Sequence, residues 1–330
     1  MERKSVMEWI NPLKGFTIFL VVIHHCLSGY FNAGLFKDFE IFLKPLNDYF
    51  AYFRMPVFFV ISGFLFQKFY SNLLVKKFRY KFMEIGIFYF FYSTVLIITQ
   101  IFLSKDVNTQ VGIIDILKLP FKTVAPYWYL YILMVFYLLS YFVFKKITIM
   151  FLFASMTLSI VSNYLPYIEI FDISRCMYYF VFWVIGGYLC TSKVDLENCK
   201  ILILVLLIVE VVLVYTGFVN LIPRTINALI LTGLMMLAFA SFRFLNQSNF
   251  CNYLGVYCLP IYLLHVYFTA GTRVVLRHLE NNDFYVYILT GIVLGIVIPI
   301  LIYKICSKYT FLNVFFKPIK FMDWFKSVKE

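Results

Sequence analysis

The sequence predicts an all-α integral membrane protein, a polytopic helical bundle of about ten transmembrane helices. Of its 330 residues, 62% are hydrophobic and 14% are charged, and the mean hydropathy is +0.85. Soluble globular chains carry about a quarter charged residues, so the lipid bilayer is the expected solvent for this chain. Apolar runs fill nearly the whole length and leave no room for a separate soluble domain.

Ten apolar runs are candidates for crossing the membrane, since about 20 mostly apolar residues cover a hydrocarbon core of about 30 Å. They are approximately residues 13–31, 48–69, 82–103, 127–144, 148–165, 176–192, 200–218, 222–242, 251–272 and 284–306. Strands cross a membrane only as closed barrels, and their alternating segments of about ten residues do not match these continuous runs. The predicted bundle therefore occupies residues 1–306.

The Lys and Arg residues between the runs predict the orientation, because cytoplasmic loops are enriched in them. With the N-terminus inside, nineteen of these residues fall on the inner side and nine on the outer side, which predicts N-in and C-in. This placement accounts for the net charge of +12 and indicates membrane lipid, not nucleic acid, as a partner. Residues 307–330 mix aromatic residues with lysines, as in an amphipathic helix on the cytoplasmic membrane surface.

The sequence carries no metal motif and no motif of the common soluble enzymes. Its seven cysteines are scattered without C-x-x-C or other metal-ligand spacing, so no metal site is predicted. A G-x-S-x-G elbow, a Walker loop and an H-E-x-x-H motif are all missing from the sequence. Hydrolase, ATPase and zinc-enzyme functions are therefore disfavoured.

Two ionisable residues of the first run are predicted to lie at membrane depth, where each costs several kcal/mol unless it has a partner or a function. Lys14 lies at the inner end, and His25 follows eleven residues later. Eleven residues span about 16 Å and three turns, so both side chains share one helix face, whereas His24 points about 100° away. Either residue alone is explained by a hydrogen bond to another helix or by snorkelling, but the two together favour a function.

Residues typical of a polar cavity occur in the second and ninth runs. Arg54 directly precedes Met55-Pro56, and Ser62-Gly63 follow about two turns deeper. A proline frees backbone carbonyls and a glycine permits close backbone approach, and both features can shape a cavity. In the ninth run, Pro260 is followed by His265.

Two charged features each allow two interpretations. Glu210 in the seventh run either pairs with a buried cation or lies in a helix that is less deep than the hydropathy suggests. The basic stretch 76–81 is explained by topology, since inner loops are basic, or by a phosphate clamp formed by guanidinium and ammonium groups. Coenzyme A carries such phosphates.

Five stretches, in order along the chain, resemble the bacterial membrane acyltransferase 3 family, which modifies surface polysaccharides and related envelope molecules. The first is N-P-L-K-G at 11–15 with a histidine at 25, and the second is R-M-P-V-F-F followed by I-S-G-F-L over 54–65. The basic stretch is similar to the family's Arg-x-Arg at the inner end of its third helix. The last two stretches are W-Y-L at 128–130 and L-P-I-Y-L-L-H at 259–265.

The chain departs from the family pattern at two of these stretches. Asn11 stands where the family has an acidic residue, and Lys14 stands where it has an arginine. The lysine keeps the cation but loses the planar, bidentate fork of a guanidinium group. The basic stretch fits the family motif either as Lys77-x-Arg79 or as Arg79-x-Lys81.

The resemblance implies transfer of an acetyl group, or another acyl group, from acyl-CoA to a hydroxyl of a cell-surface or lipid-linked glycan at the bacterial cytoplasmic (inner) membrane. His25 would act as the general base, or would carry the acetyl group briefly in a covalent relay, and both roles stay open. Lys14 would stabilise developing negative charge. The cations expected to anchor the acetyl-CoA phosphates are Lys77, Arg79 and Lys81, and the expected substrate or cavity residues are Arg54, Ser62, Gly63, Trp128, Tyr129 and His265.

Other function classes also fit these features. An exporter or flippase of a polysaccharide or lipid-linked sugar would use the same polar cavity without acyl chemistry, and a structural or receptor-like protein would not depend on His25. An N-acyl or amino-acid transferase of the same architecture is a related enzymatic alternative. The identity of the acceptor, the acyl group beyond an expectation of acetyl, and the oligomeric state are left open by the sequence.

Overall fold

The computed structural model describes residues 8–69, 75–142, 149–192, 200–216, 222–309 and 311–319. Within these ranges, all regular secondary structure is helical. Seven of the described helices are long and apolar enough to cross a membrane, and other apolar helices are shorter. The prediction of an all-α, polytopic membrane protein is confirmed.

Each of the ten predicted runs overlaps a described α-helix. In chain order, the α-helices are α1 (Ile10–Asn32), α2 (Lys37–Phe69), α3 (Val75–Phe102), α4 (Ile114–Lys118), α5 (Trp128–Phe142), α6 (Ile149–Ser162), α7 (Ile173–Thr191), α8 (Lys200–Tyr215), α9 (Arg224–Ser241), α10 (Arg243–Asn246), α11 (Asn249–Val256), α12 (Cys258–His278) and α13 (Phe284–Lys308). Short 3-10 turns occur at Ile170–Asp172 and Leu312–Phe315. The N-in and C-in orientation stays a prediction.

Two helices begin earlier than the hydropathy predicts. Helix α2 begins at Lys37 and not at residue 48, and α3 begins at Val75 and not at residue 82. The added turns of α2 mix charged and apolar residues, and Lys44 forms an ion pair with Glu40 one turn away at 2.9 Å. A search for apolar runs misses such turns because polar residues spaced one turn apart support a helix without contributing hydropathy.

The predicted run 251–272 is divided at Tyr257 into α11 and α12, so the prediction of one continuous helix is wrong there. Pro260 explains the interruption because it has no N–H to donate to the preceding turn, whereas it is tolerated in the first turn of a new helix. At the other end of α11, the Ser248 hydroxyl accepts a hydrogen bond from the backbone N–H of Cys251 at 3.3 Å. A serine in this position satisfies a donor that the helix itself leaves free.

The chain forms two compact units. The described parts of the first unit come from the chain up to Leu20, from Asp48–Leu73 and from Val135–Cys258. Those of the second unit come from Val21–Asn47, Leu74–Met134 and the chain from Leu259 onward. Helix α1 therefore contributes its first part to one unit and its second part to the other.

In the first unit, α2 and α7 are in backbone contact through two glycines. A Cβ atom at Gly63 would overlap the carbonyl oxygen of Trp183, and one at Gly186 would overlap the carbonyl oxygen of Val60. Small residues at such crossings let membrane helices approach closely, where dispersion forces are strongest. The Trp183 indole N–H donates to the Ser140 hydroxyl at 2.7 Å, so this buried donor is satisfied.

A second reciprocal glycine contact in the same unit joins α1 to α11. A Cβ atom at Gly15 would overlap the carbonyl oxygen of Cys251, and one at Gly255 would overlap the carbonyl oxygen of Asn11. The N-P-L-K-G stretch is therefore held at the backbone level against α11.

The first unit also gives Glu210 a partner. Apolar residues of α8 such as Ile201 and Leu204 are exposed, as expected of a face turned to lipid, whereas Glu210 is buried on the opposite side. Its Oε2 atom accepts a hydrogen bond from the Tyr49 hydroxyl at 2.6 Å. The recorded partner is thus a neutral phenol and not the cation that one of the two interpretations requires.

In the second unit, tyrosine hydroxyls hold the connection between α3 and α5. Tyr89 donates to the carbonyl oxygen of Leu119 at 2.8 Å, and Tyr131 donates to that of Pro120 at 2.9 Å. Irregular backbone at membrane depth is tolerated only where protein groups or enclosed water satisfy it. These two hydroxyls supply that satisfaction to carbonyls outside any long helix.

The end of the same connection is tied to α12 by a reciprocal pair of bonds. Tyr127 donates to the carbonyl oxygen of Leu263 at 2.6 Å, and Tyr262 donates to that of Pro126 at 2.8 Å. Tyr127 and Leu263 are both fully buried. Helix α5 therefore begins at a point fixed against the middle of α12.

Arg273 of α12 fixes the other end of the connection. Its guanidinium group donates to the carbonyl oxygens of Gly29, at 2.7 Å, and Asp106, at 3.0 Å. Asn108 donates to the same Gly29 carbonyl at 3.1 Å. The planar, multi-donor guanidinium group suits this bridge between two backbone segments.

The described part of the C-terminal segment packs against the second unit. Tyr92 donates to the carbonyl oxygen of Phe315 at 2.9 Å, and the Phe316 ring lies 5.2 Å from the Tyr303 ring, centroid to centroid. Residues 307–308 complete α13, while 320–330 lie outside the described residues. The amphipathic helix within 307–330 stays a prediction.

The α2–α7 contact predicts that Gly63→Ala destabilises the protein by about 1–3 kcal/mol, because the new methyl group meets a backbone carbonyl that cannot rotate away. The measurement is thermal unfolding of the purified protein in detergent. Gly233→Ala is the matched control, since a Cβ atom at Gly233 meets no heavy atom within 4 Å. Equal melting temperatures for the two variants would contradict the contact.

The tie between α12 and the connection predicts that Tyr262→Phe lowers the melting temperature. The substitution leaves the Pro126 carbonyl without its donor, and an unpaired buried polar group costs about 1–3 kcal/mol. Tyr285→Phe removes a hydroxyl from an exposed side chain and serves as the control. A Tyr262→Phe protein as stable as this control would show that the bond is unimportant.

Candidate active site

The predicted site residues are distributed over both units. Those in the second unit are His25, Lys77, Arg79, Lys81, Trp128, Tyr129 and His265, and those in the first are Lys14, Arg54, Ser62 and Gly63. Lys14 and His25 lie on the same uninterrupted helix α1. Their common face follows from helix periodicity and stays a prediction at the level of the side chains.

The structure brings His25 and His265 together. Their ring centroids are 4.9 Å apart, and the ring planes are tilted by 54°. His25 is half-buried in the C-terminal half of α1, while His265 lies in α12 with 0% of its surface exposed. Two of the predicted functional side chains, far apart in the sequence, are therefore neighbours.

Backbone carbonyls fix the tautomer of His265. Its Nδ1 atom lies 2.9 Å from the carbonyl oxygen of Ile261 and 2.9 Å from that of Tyr262. A carbonyl oxygen only accepts hydrogen bonds, so Nδ1 carries the proton and Nε2 carries the lone pair. The Nε2 atom is buried and has no hydrogen-bond partner within the described part of the chain.

His24 has polar partners of its own. Its Nδ1 atom lies 3.0 Å from the amide nitrogen and 3.2 Å from the amide oxygen of Asn47, and the Ser28 hydroxyl is 3.2 Å away. The His24 ring centroid is 5.0 Å from that of His25. Three imidazoles thus form a row, with the half-buried His25 between its two neighbours.

The W-Y-L and L-P-I-Y-L-L-H stretches also meet in the second unit. The buried Tyr129 ring packs edge-on against Tyr262 at 5.7 Å, and the Tyr262 ring lies 6.3 Å from that of His265. Trp128, the first residue of α5, is half-buried. Trp128 is therefore more accessible to a sugar than Tyr129 is.

The basic stretch lies at the start of α3, and its cations differ in their surroundings. The Arg79 side chain is exposed. Lys81 donates to the Glu84 carboxylate at 2.6 Å, so part of its charge is already compensated. The Lys77 backbone is helical, but its side chain lies outside the described part of the structure. Arg79 is consequently the strongest described candidate for a phosphate contact.

In the first unit, Arg54 is buried with 3% of its surface exposed. The carboxylate of Asp48 supplies a nearby opposite charge, which offsets part of the cost of burying the guanidinium group. Ser62 is half-buried, and Gly63 is occupied by the contact with Trp183. The geometry gives Gly63 a packing role, and a substrate contact at these three positions stays a prediction.

Lys14 is half-buried beside the glycine contact of α1 with α11. The position keeps the lysine charge near the inner end of the predicted membrane span, where a long side chain can reach polar surroundings.

Sequence reasoning missed several residues that position the site. Tyr127 and Tyr262 flank or belong to the motif stretches, and Asn47 holds His24 from a distant part of the chain. The sequence contains 26 tyrosines, so the two that bind backbone carbonyls are not distinguishable by residue type. Their adjacency to Trp128 and His265 is the only signal in the sequence that could have found them.

Histidine side chains at membrane depth provide a base and a nucleophile that work near neutral pH. No group of three or more His, Cys, Asp or Glu side chains that could hold a metal occurs in the ranges that the structure describes. In the second unit, the structure places two imidazoles next to each other.

Comparison with known proteins identifies the family of the chain. The model of the family described as "Acyltransferase domain" matches residues 7–304. The chain is also 34% identical over 84 residues to the Inner membrane protein YcfT of Escherichia coli (strain K12), a match that covers 22% of this chain and 22% of that protein. The chain thus spans less than a quarter of the length of this curated relative. No solved structure matches the chain significantly.

The family match extends from before α1 into the last turns of α13 and includes all eleven predicted site residues. The chain belongs to the acyltransferase 3 family and is a multi-pass membrane protein.

Proposed function

We propose that this protein transfers an acetyl group, or a similar acyl group, from acyl-CoA to a hydroxyl of a cell-surface or lipid-linked glycan at the bacterial cytoplasmic membrane. The observation that carries the proposal is the half-buried imidazole of His25 beside His265 in a chain of the acyltransferase 3 family. A hydroxyl needs a base to become a nucleophile, and an imidazole is well matched to that task.

Two routes are consistent with this position. As a general base, His25 takes the proton of the acceptor hydroxyl while the oxygen attacks the thioester carbonyl carbon. The carbon–sulfur bond then breaks, and the proton passes to the leaving thiolate, which gives an ester and CoA. In the covalent route, an imidazole nitrogen of His25 attacks the thioester carbon, the carbon–sulfur bond breaks, and the ring N–H proton passes to the thiolate to give CoA. The acceptor hydroxyl then attacks the acyl-imidazole, the carbon–nitrogen bond breaks, and the hydroxyl proton passes to the imidazole, which gives the ester and neutral His25.

The cations of the chain suit the donor. Arg79 is exposed at the predicted cytoplasmic end of α3, where acyl-CoA is available, and guanidinium groups form charge-assisted, bidentate hydrogen bonds with phosphate. Lys77 and Lys81 add positive charge along the same stretch. Lys14, near the inner end of α1, stabilises the negative charge that develops on the thioester oxygen or the thiolate.

The acceptor is assigned to the predicted outer side. Trp128, at the start of α5, offers an aromatic face of the kind that binds sugars, and Tyr129 supports it by packing on Tyr262. Arg54 and Ser62 are the polar residues of the first unit that we assign to the acceptor. Membrane lipid surrounds the bundle, and a lipid-linked acceptor would reach the site from the bilayer.

Replacement of His25 tests the proposal directly. We expect His25→Ala to lower the O-acyl content of the envelope glycan by at least about 100-fold, because general-base catalysis contributes about 10²–10⁴-fold. The measurement is NMR of the glycan from cells with the intact gene, without it, and with the variant. His278→Ala is the matched control, since His278 is 68% exposed and pairs with Asp106.

Unchanged acylation at normal amounts of the His25→Ala protein would contradict the proposal. Unchanged acylation together with altered export of the glycan would favour an exporter or flippase.

Replacement of Arg79 tests the donor. We expect Arg79→Ala to weaken the binding of CoA to the purified protein about tenfold, since a charge-assisted contact is worth about 1.4 kcal/mol or more. Lys81→Ala should weaken binding less, because Lys81 already pairs with Glu84. Calorimetric titration with CoA in detergent measures both effects.

Lys118→Ala is the control, because Lys118 is an exposed cation on the predicted outer side. Equal affinities for the Arg79→Ala and Lys118→Ala proteins would remove the donor assignment.

A further inference from the structure

His265 combines two properties that a merely structural histidine does not need. Its Nδ1–H is fully used by the carbonyl oxygens of Ile261 and Tyr262. Its Nε2 lone pair is buried, and no hydrogen-bond donor reaches it within the described residues. Buried polar atoms are nearly always paired, so an unpaired one at a candidate active site requires an explanation.

The surroundings of Nε2 restrict what could approach it. His265 has 0% of its surface exposed, so a glycan or an acyl-CoA does not reach the ring directly. The half-buried His25 ring is 4.9 Å away, centroid to centroid, and is itself the candidate for contact with substrate. The ring N–H proton nearest to the substrate therefore belongs to His25.

Two further titratable side chains are recorded beside the two histidine rings. The titratable side chains recorded against them are His24 on α1 and Tyr262 on α12. Tyr262 directs its hydroxyl hydrogen to the Pro126 carbonyl oxygen. Helix α13 presents Gly295 at this level, where an added Cβ atom would lie 3.9 Å from the carbonyl oxygen of His265.

We infer that His265 is a positioning residue that acts through His25, with Nε2 of His265 as the acceptor for the ring N–H of His25 during acyl transfer. The inference rests on the proposed function. With one His25 nitrogen directed to His265 as an N–H donor, the other His25 nitrogen is left as a lone pair for the substrate. His265 would thus select the reactive tautomer of His25, as a buried carboxylate does in other triads.

The proton inventory is the same in both chemical routes. When His25 takes the hydroxyl proton, or when its nitrogen bonds to the acyl carbon, the ring becomes cationic. The N–H on the far nitrogen then strengthens its hydrogen bond to Nε2 of His265 or transfers its proton there. In the general-base route, this proton passes from His25 to the leaving thiolate. In the covalent route, the ring proton passes to the thiolate and the acceptor hydroxyl proton replaces it when the acyl-imidazole is cleaved, so neither route gains or loses a net proton.

Kinetics of three variants of the full-length protein test this role. We expect His265→Leu to lower kcat per folded molecule by at least about 100-fold, the scale of acid–base catalysis, without changing KM for acetyl-CoA. His265→Gln should recover part of kcat, because its Oε1 atom can accept the His25 hydrogen bond without taking the proton. Thr269→Val is the control, since Thr269 is a buried polar residue one turn further along α12 that uses its hydroxyl on its own helix.

A loss of folded protein at unchanged kcat would assign His265 a structural role and overturn the inference. Full activity of folded His265→Leu would also overturn it. If His265→Leu does not fold, the Gln variant and the spectroscopic measurement below decide.

Nitrogen-15 NMR of histidine-labelled protein tests the tautomer independently of activity. The chain has four histidines, so replacing each in turn assigns the signals. We expect His265 to show a protonated Nδ1 and an unprotonated Nε2, and the Nε2 signal to shift when His25 is replaced by Ala. A protonated Nε2 would overturn the inference even if acyl transfer is confirmed. The expected NMR result with no acyl transfer by the intact protein would instead reject the proposed function.

Discussion

The hydrocarbon core of a membrane contains no water to satisfy polar groups. This constraint explains the tyrosine hydrogen bonds that shape the second unit. The connection between α3 and α5 is irregular, so its carbonyl oxygens have no helical partners. Tyrosine hydroxyls supply the missing donors, from Tyr89 to Leu119 and from Tyr262 to Pro126. The aromatic rings fill the space between helices, while each hydroxyl satisfies one carbonyl.

The same constraint determines the state of the imidazoles. The buried His265 ring directs its N–H to carbonyl oxygens of its own helix, which leaves the opposite nitrogen free of a proton. Because Tyr127 and Tyr262 fix α12 against the connection, the ring is held beside His25 by two bonded backbone segments. Scaffold and candidate active site are thus built from the same few residues of α12.

The sequence predicts the helical architecture well because hydropathy is a local property, and each of the ten apolar runs overlaps a helix. It also identifies His25 and His265, since ionisable residues are rare at membrane depth. It does not predict the first turns of α2, because their charged residues interrupt the apolar run. The division at Tyr257 was missed although Pro260 marks it, because the apolar composition continues across the break.

Contacts between distant parts of the chain are the main features that sequence reasoning could not supply. The contact of Gly63 with the Trp183 carbonyl and the hydrogen bonds of Tyr127 and Tyr262 depend on which surfaces meet. A glycine in a membrane helix predicts close packing or a cavity equally well, and only the neighbouring backbone distinguishes them. At Gly63, the neighbouring Trp183 carbonyl shows that the role is packing.

The tyrosine hydrogen bonds also determine how the fold responds to pH and salt. Phenol hydroxyls stay neutral throughout the physiological pH range, and neutral hydrogen bonds inside a bundle are barely screened by dissolved salt. The framework around α12 is therefore indifferent to acidity and ionic strength over a range in which imidazoles gain and lose charge. An acidic exterior would leave these tyrosine hydrogen bonds intact, while the neighbouring imidazoles would gain charge.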